Sequence, residues 1–340
     1  MEFRTSSSPH LPVNDSVASM MRLVLLALLP GTACFFWLFG WGVLCNLLIA
    51  GITAVAAEAV MLMLRKRAVG STLLDSSALL AGALLALALP PLAPWWIAVI
   101  GSLFAIVIAK QLYGGLGYNP FNPAMAGYVV LLISFPLEMT LWPAAGNHPD
   151  LATTLTQVFT GSLPPGVSID AVTMASPLDS VRTQLGQGEP LGTLREGPLF
   201  GLLGGAGWEW VNLCFLAGGL WMLKMRVIQW RIPVSMLAGL ALMALVFHLY
   251  DPDTYASPQF HLFSGAAMLG AFFIATDPVS ASTTPLGRLC YGFGIGALTW
   301  VIRTWGGYPD GVAFAVLLMN LAAPTLDFYT RPRVFGQQDR

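Results

Sequence analysis

Charge is what this sequence has least of. Only 10% of its 340 residues are Asp, Glu, Lys or Arg, against 56% hydrophobic, whereas globular chains average about 25% charged residues. A soluble protein could not hide so much apolar surface, so the composition excludes that class and places the chain among polytopic membrane proteins, with lipid as its first partner. The formal net charge of −1 leaves no footprint for nucleic acid. Cysteine is also sparse. Cys34, Cys45, Cys214 and Cys290 are scattered in or beside apolar segments and form no CxxC, so no iron–sulfur or zinc site can be built locally. They read as small buried hydrophobes. No nucleotide-binding glycine motif follows a strand, and no cleavable signal is evident ahead of the first apolar run.

Long apolar runs are what the chain has in quantity. A spanning helix needs about 20 apolar residues, and hydropathy predicts ten spans: 22–39, 41–63, 72–90, 94–112, 122–137, 198–222, 232–250, 261–280, 288–304 and 311–328. Basic residues orient them, because cytoplasmic ends are enriched in Lys and Arg. With the N-terminus inside, 13 of the 16 basic residues fall at cytoplasmic ends, Lys110 among them, and only Arg182, Arg195 and Arg303 fall outside. Both termini are then cytoplasmic. The chain divides into a cytoplasmic tail 1–21, a first membrane half 22–137, a long outer-face loop 138–197, a second half 198–328 and a cytoplasmic tail 329–340.

An internal echo accompanies this division. LYGGLGYNPFNPAMAGYVVLLI (112–133) and TWGGYPDGVAFAVLLMNLAAP (304–324) each place an aromatic residue, two glycines, a Tyr and a Pro before an apolar helix. Five spans per half is an odd number, so the halves would run in opposite senses. The expected fold class is therefore an all-α polytopic membrane protein of about ten helices, in two inverted five-helix repeats.

Polar groups inside such a chain are functional candidates. Glu58 lies deepest in a predicted span and is the candidate for ion coupling. Asp75, Asp277 and Glu209 sit near span ends, where solvation or capping accounts for them. GYNPFNP (117–123) interrupts a helix with two Asn-Pro pairs. The amides of Asn119 and Asn122 either hydrogen-bond a polar ring such as a flavin's or cap turns.

Two hydroxyl-bearing segments share a layout: Asp170-Ala-Val-Thr173-Met-Ala-Ser176-Pro-Leu, and Asp277-Pro-Val-Ser280-Ala-Ser282-Thr283-Thr284-Pro-Leu. Ser176-Pro-x-Asp reads as a helix start, with Ser at N-cap, Pro at N1 and Asp at N3. Such an end also suits a phosphate, through free N–H groups and the positive end of the helix dipole.

DAVTMASPLD, GYNPFNPAMAGYVVLL, FFIATDPVSASTTPLGRL and GGYPDGVAFAVLLMNLAAPTLD resemble the RnfD family, a membrane component of the Rnf electron-transport complex. That family is related to the NqrB component of the sodium-pumping NADH:quinone oxidoreductase. The likeness runs over roughly residues 20–330. It implies FMN in phosphoester linkage to Ser176, with Asp170 and Thr173 completing the attachment motif, and a second, non-covalent flavin, riboflavin, for which Asn119 and Asn122 are the nominees. It further implies a flavin transferase, a second covalent-FMN subunit and iron–sulfur subunits as partners, and ferredoxin–NAD electron transfer coupled to Na⁺ or H⁺ movement. Where the family usually has Thr, this chain has Ser176, which keeps the nucleophilic hydroxyl. Thr283 is disfavoured by its inner-face position, by Pro278 after the Asp, and by its continuity with a membrane helix. A solute channel or transporter without a redox cofactor fits the same spans, since fold does not fix function.

Overall fold

The computed structural model describes residues 17–163, 168, 172–187, 191, 197, 199–308 and 310–331. Among these the chain is helical, with no strand beyond two isolated bridges, Ala144 with Asn147 and Phe200 with Gly205. In lipid every backbone N–H and C=O must find a partner within the segment, which is why apolar runs of this length become helices.

Among the described residues, four helices are long and apolar enough to cross a bilayer: α1 (Val17–Phe39), α2 (Trp41–Leu64), α10 (Arg231–Tyr250) and α14 (Val312–Tyr329). Between α2 and α10 come α3 (Val69–Leu73), α4 (Ser77–Ala88), α5 (Trp95–Leu103, continuing as a π-helix over Phe104–Gln111), α6 (Pro123–Ser134), α7 (Leu151–Thr160), α8 (Pro177–Gln187) and α9 (Trp208–Lys224). After α10 follow α11 (Pro258–Leu262), α12 (Ala267–Leu269, continuing as a π-turn over Gly270–Ile274) and α13 (Pro285–Trp305).

Several predicted spans are shorter than their apolar runs. Where 72–90 and 122–137 read as full spans, α4 and α6 are 12 residues each, about 18 Å at 1.5 Å per residue. The run 261–280 is not one helix: it breaks between α11 and α12, where Gly265 takes φ +60°. The sixth predicted helix starts at Trp208 rather than 198, because 200–205 forms a bridged turn. Short helices with broken ends leave backbone groups free at membrane depth, a state tolerated only against protein or a cavity.

Packing sets up a frame around these short elements. α1 lies against α9, α2 against α4 and α5, and α10 against α13, while α6 contacts α5 and α14. The α1–α9 crossing is so close that a Cβ on Gly218 would stand 2.1 Å from the Ala27 carbonyl oxygen. In a bilayer, contact of this kind replaces the hydrophobic effect as the source of helix association. Gly218→Ala should therefore cost about 1–3 kcal/mol, read as a lower unfolding midpoint of the purified protein in detergent; an unchanged midpoint would show that the crossing is loose.

Candidate functional site

The broken helices enclose two cavities. The larger, of about 330 Å³, falls within the size range of small-molecule sites, about 300–1,000 Å³. It lies between α6, the start of α8, the 265–266 break and the start of α14, and is lined by Tyr128, Trp142, Trp208 and Tyr308. Trp142 and Trp208 are in ring contact at 5.1 Å between centroids, and Phe35 and Phe39 back both indoles.

Ser176 lines this cavity together with Pro177, Asp179 and Arg182. Its Oγ accepts from Asp179 N at 3.2 Å, the N-cap bond that Ser-Pro-x-Asp predicts. Half-buried Ser176 sits on a segment tied to the cavity rim, since Met174 N donates to Trp142 O at 2.8 Å. α8 docks through Leu178 and Val181, which pack with Leu191, Ala256 and Phe260. Arg182 donates to Gly307 O and pairs with Asp179 at 3.7 Å, so a cation stands at the rim of the same cavity. Thr173 is half-buried in the segment before Ser176; Asp170 lies outside the described residues.

Thr283 has a different setting. Its hydroxyl donates to Asp327 at 2.8 Å, and Asp327 also receives the Thr283 and Thr284 amides and the Ser282 and Thr284 hydroxyls. The α13 N-terminus thus already holds an anion supplied by α14.

The second cavity, of about 130 Å³, is lined by Asn119, Asn122, Ser77, Lys110 and Asp277 among apolar neighbours from α1, α9 and the π-turn. Asn122 is the N-cap of α6: its Oδ1 accepts from Met125 N at 3.2 Å and its Nδ2 donates to Ile274 O at 3.3 Å. Asn119 Nδ2 donates to Phe121 O at 2.9 Å, and its buried Oδ1 has no hydrogen-bond partner. The two cavities stand back to back. Asn122 and Phe273 line the smaller, Met125 and Ile274 the larger, so the start of α6 and the π-turn form their common wall.

Glu58 is fully buried, and its partner is Lys110, 2.6 Å away. Lys110 Nζ also donates to Ser77 Oγ at 2.7 Å, and Gln111 Nε2 donates to Glu58 Oε1 at 2.8 Å. Lys110, counted by sequence as a cytoplasmic end charge, is only 2% exposed. The π-helical register of Phe104–Gln111 carries it inward, and π segments gather at functional sites. Asp75, Asp277 and Glu209 make local caps, accepting from Ser77 N, Ser280 Oγ and Leu203 N respectively.

Sequence reasoning also missed Arg303, counted only among the charges that fall outside. Its side chain is buried against Asp310 at 3.1 Å, and Asp310 lines the larger cavity. One signal was available. In both echo segments a basic residue stands shortly before the Gly-Gly: Lys110 before Gly114-Gly115, Arg303 before Gly306-Gly307.

The chain matches the family described as NQR2, RnfD, RnfE over residues 4–336. It is 53% identical to the RnfD protein of the ion-translocating oxidoreductase complex of Escherichia fergusonii over 350 residues, covering 99% of each chain. Against the protein of the same name from Escherichia coli O127:H6 the figures are again 53% identity and 99% of each chain. Against that of Escherichia coli K12 DH10B the identity is 52% over the same coverage.

Proposed function

The chain belongs to the NQR2, RnfD, RnfE family, and from that premise we propose that it is the RnfD-type membrane component of an ion-translocating oxidoreductase complex and that it carries FMN on Ser176. The observation that carries the second part is that Ser176 lines the larger cavity together with Arg182 and a set of aromatic rings. The residues fit the group: an aromatic-lined volume suits a planar ring, while the α8 N-terminus and Arg182 suit a phosphate. Attachment by a flavin transferase would form the Oγ–P bond as the pyrophosphate of a flavin dinucleotide breaks, releasing the nucleoside monophosphate and the hydroxyl proton. Asp170 and Thr173 would present the segment to that enzyme. Bound FMN would supply electron acceptance and donation; the protein supplies placement and field.

Riboflavin is our proposal for the smaller cavity, with the unpaired Asn119 carbonyl oxygen as its polar contact. At about 130 Å³ the space is below the usual ligand range of about 300–1,000 Å³, so flexible Met20, Met21 and Met222 must repack to admit it. Ion coupling at Glu58, to Na⁺ or H⁺, acts in this reading through the Lys110 pair. The inverted repeat is supported by the order of elements: α1, α2, short α4, α5 and α6 parallel α9, α10, broken α12, α13 and α14. We assign 22–137 and 198–328 to the two halves, 138–197 to the outer face, and the tails 1–21 and 329–340 to the cytoplasmic side of the inner membrane. The partners are the other subunits of the complex, including a second covalent-FMN subunit and iron–sulfur subunits that exchange electrons with ferredoxin and NAD.

The test is to denature the purified protein and look for flavin fluorescence that travels with its band on a gel. Fluorescence at the band is expected. Its absence would overturn the attachment of FMN to this chain.

A further inference from the structure

The charged groups at the larger cavity come as two pairs. Asp179 and Arg182 stand at its rim on α8; Asp310 stands in its wall with Arg303 behind it. Tyr128 and Tyr308 add two phenols. The wall pair is the better built. Asp310 Oδ1 accepts from Arg303 Nε at 3.2 Å, Arg303 Nη2 at 3.1 Å and Val312 N at 3.3 Å, while Oδ2 accepts from Ala266 N at 2.8 Å. Arg303 in turn donates to His261 O at 2.6 Å and Ser264 O at 3.2 Å. One carboxylate therefore fixes both the start of α14 and the break between α11 and α12. Gly265 leaves no slack there, because a Cβ on it would meet Asp310 Oδ2 and Leu178 Cδ1, each at 2.5 Å.

Capping alone does not require this charge. In the smaller cavity Asn122 does the same work before α6, bonding Met125 N and Ile274 O with a neutral amide. Where Asn122 is neutral, Asp310 brings a carboxylate and a buried guanidinium to hold it. A fixed charge beside a redox group in a low-dielectric site opposes or favours each added electron directly.

We infer that the Asp310–Arg303 pair is a positioning element that sets the reduction potential of the flavin in the larger cavity, by presenting a carboxylate to it and balancing that carboxylate from behind. This rests on the flavin reading of Ser176. The sign follows from charge. Asp310→Asn leaves Arg303 unbalanced, so the site favours the electron-rich flavin and the midpoint potential rises. Arg303→Gln leaves Asp310 unbalanced, so the potential falls. The double variant removes both charges and returns toward the parent value.

The experiment uses the assembled complex with each variant. A denaturing gel comes first: absence of fluorescence in the parent protein would sink the attachment reading itself. Redox titration of the attached flavin then tests the pair. The expected result is opposite shifts in the two single variants, each of at least tenfold in the reduction equilibrium, about 59 mV for a one-electron couple. Arg303→Lys keeps the charge and should titrate with the parent. Shifts of the same sign in both single variants, or no shift in either, would overturn the inference. Should Asp310→Asn fail to assemble, Arg303→Gln against Arg303→Lys decides alone, and equal potentials there would count against it.

Discussion

Ser176→Ala is expected to abolish flavin fluorescence at the protein band, and Thr283→Ala to leave it at full strength. The two hydroxyls differ in what surrounds them. Ser176 Oγ receives one backbone N–H and lines a cavity that Arg182 also lines, so an added phosphate finds the positive end of the α8 dipole and a cation. Thr283 donates to a carboxylate that has already taken the amides and hydroxyls of its turn. A phosphate there would meet the Asp327 charge at close range, and like charges repel. Ser176→Ala also removes an N-cap, worth about 0.5–2 kcal/mol, so a fold effect must be separated from a chemical one. Ser176→Asn does this, because Asn caps well but has no hydroxyl: it should lose the flavin and keep the α8 start. Ser176→Thr should retain both. In-gel fluorescence and the mass of the peptide containing residue 176 are the readouts. Flavin surviving on Ser176→Ala would move the attachment point elsewhere.

The largest stability effect should come from Lys110→Met. Glu58 and Lys110 are both almost wholly buried, and removing one partner of a buried pair costs about 3–5 kcal/mol, because the other charge is stranded. Glu58 is poorly placed to absorb the loss. Its Oε1 would keep only Gln111, and its Oε2 already has no hydrogen-bond partner. The double variant Glu58→Gln, Lys110→Met removes both charges and should recover most of the deficit, since neutral replacement of such pairs is often tolerated. Thermal unfolding of the three proteins in detergent tests this. A double variant as unstable as the single would mean that the shared bonds to Ser77 and Gln111, not the charges, matter most. The same double variant also examines ion coupling: stable protein with intact transport would eliminate Glu58 from that role.

The sequence made some of this readable because the signals are local. Ser176 before Pro177 is a cap that a dipeptide announces, and it caps as read; of the two readings open for Asn122, a cap or a contact to a polar ring, its bond from Met125 N fits the cap. The proposed attachment motif rests on a family resemblance alone, and its Asp170 lies outside the described residues. Helix lengths were less legible. A window of about 20 apolar residues does not distinguish a spanning helix from a short one flanked by apolar loop, and α4 and α6 are of the second kind. Ser264-Gly265 interrupts an otherwise helical run without a proline to mark it. The ion pairs were invisible for a different reason. Lys110 meets a residue 52 positions away, and Arg303 is buried only because the break at 261–265 folds its carbonyls around the guanidinium. Charge counting assigns such residues to the water phase by default. Burial is a property of the assembled helices.

The common wall of the two cavities has an electrical consequence. In the proposed orientation, the smaller cavity borders the cytoplasmic connections at 227–228 and 277–279, and the larger borders the outer segments around 140, 176 and 307. The start of α6 and the π-turn, joined by the Asn122–Ile274 bond, then form part of the low-dielectric barrier between them. A membrane voltage falls across the low-dielectric layers of the protein, so part of the field would fall here. An elementary charge crossing a full 100 mV drop gains or loses about 2.3 kcal/mol. Any electron passing between groups in these two cavities would feel a part of that, and the voltage itself would tilt the direction of its flow.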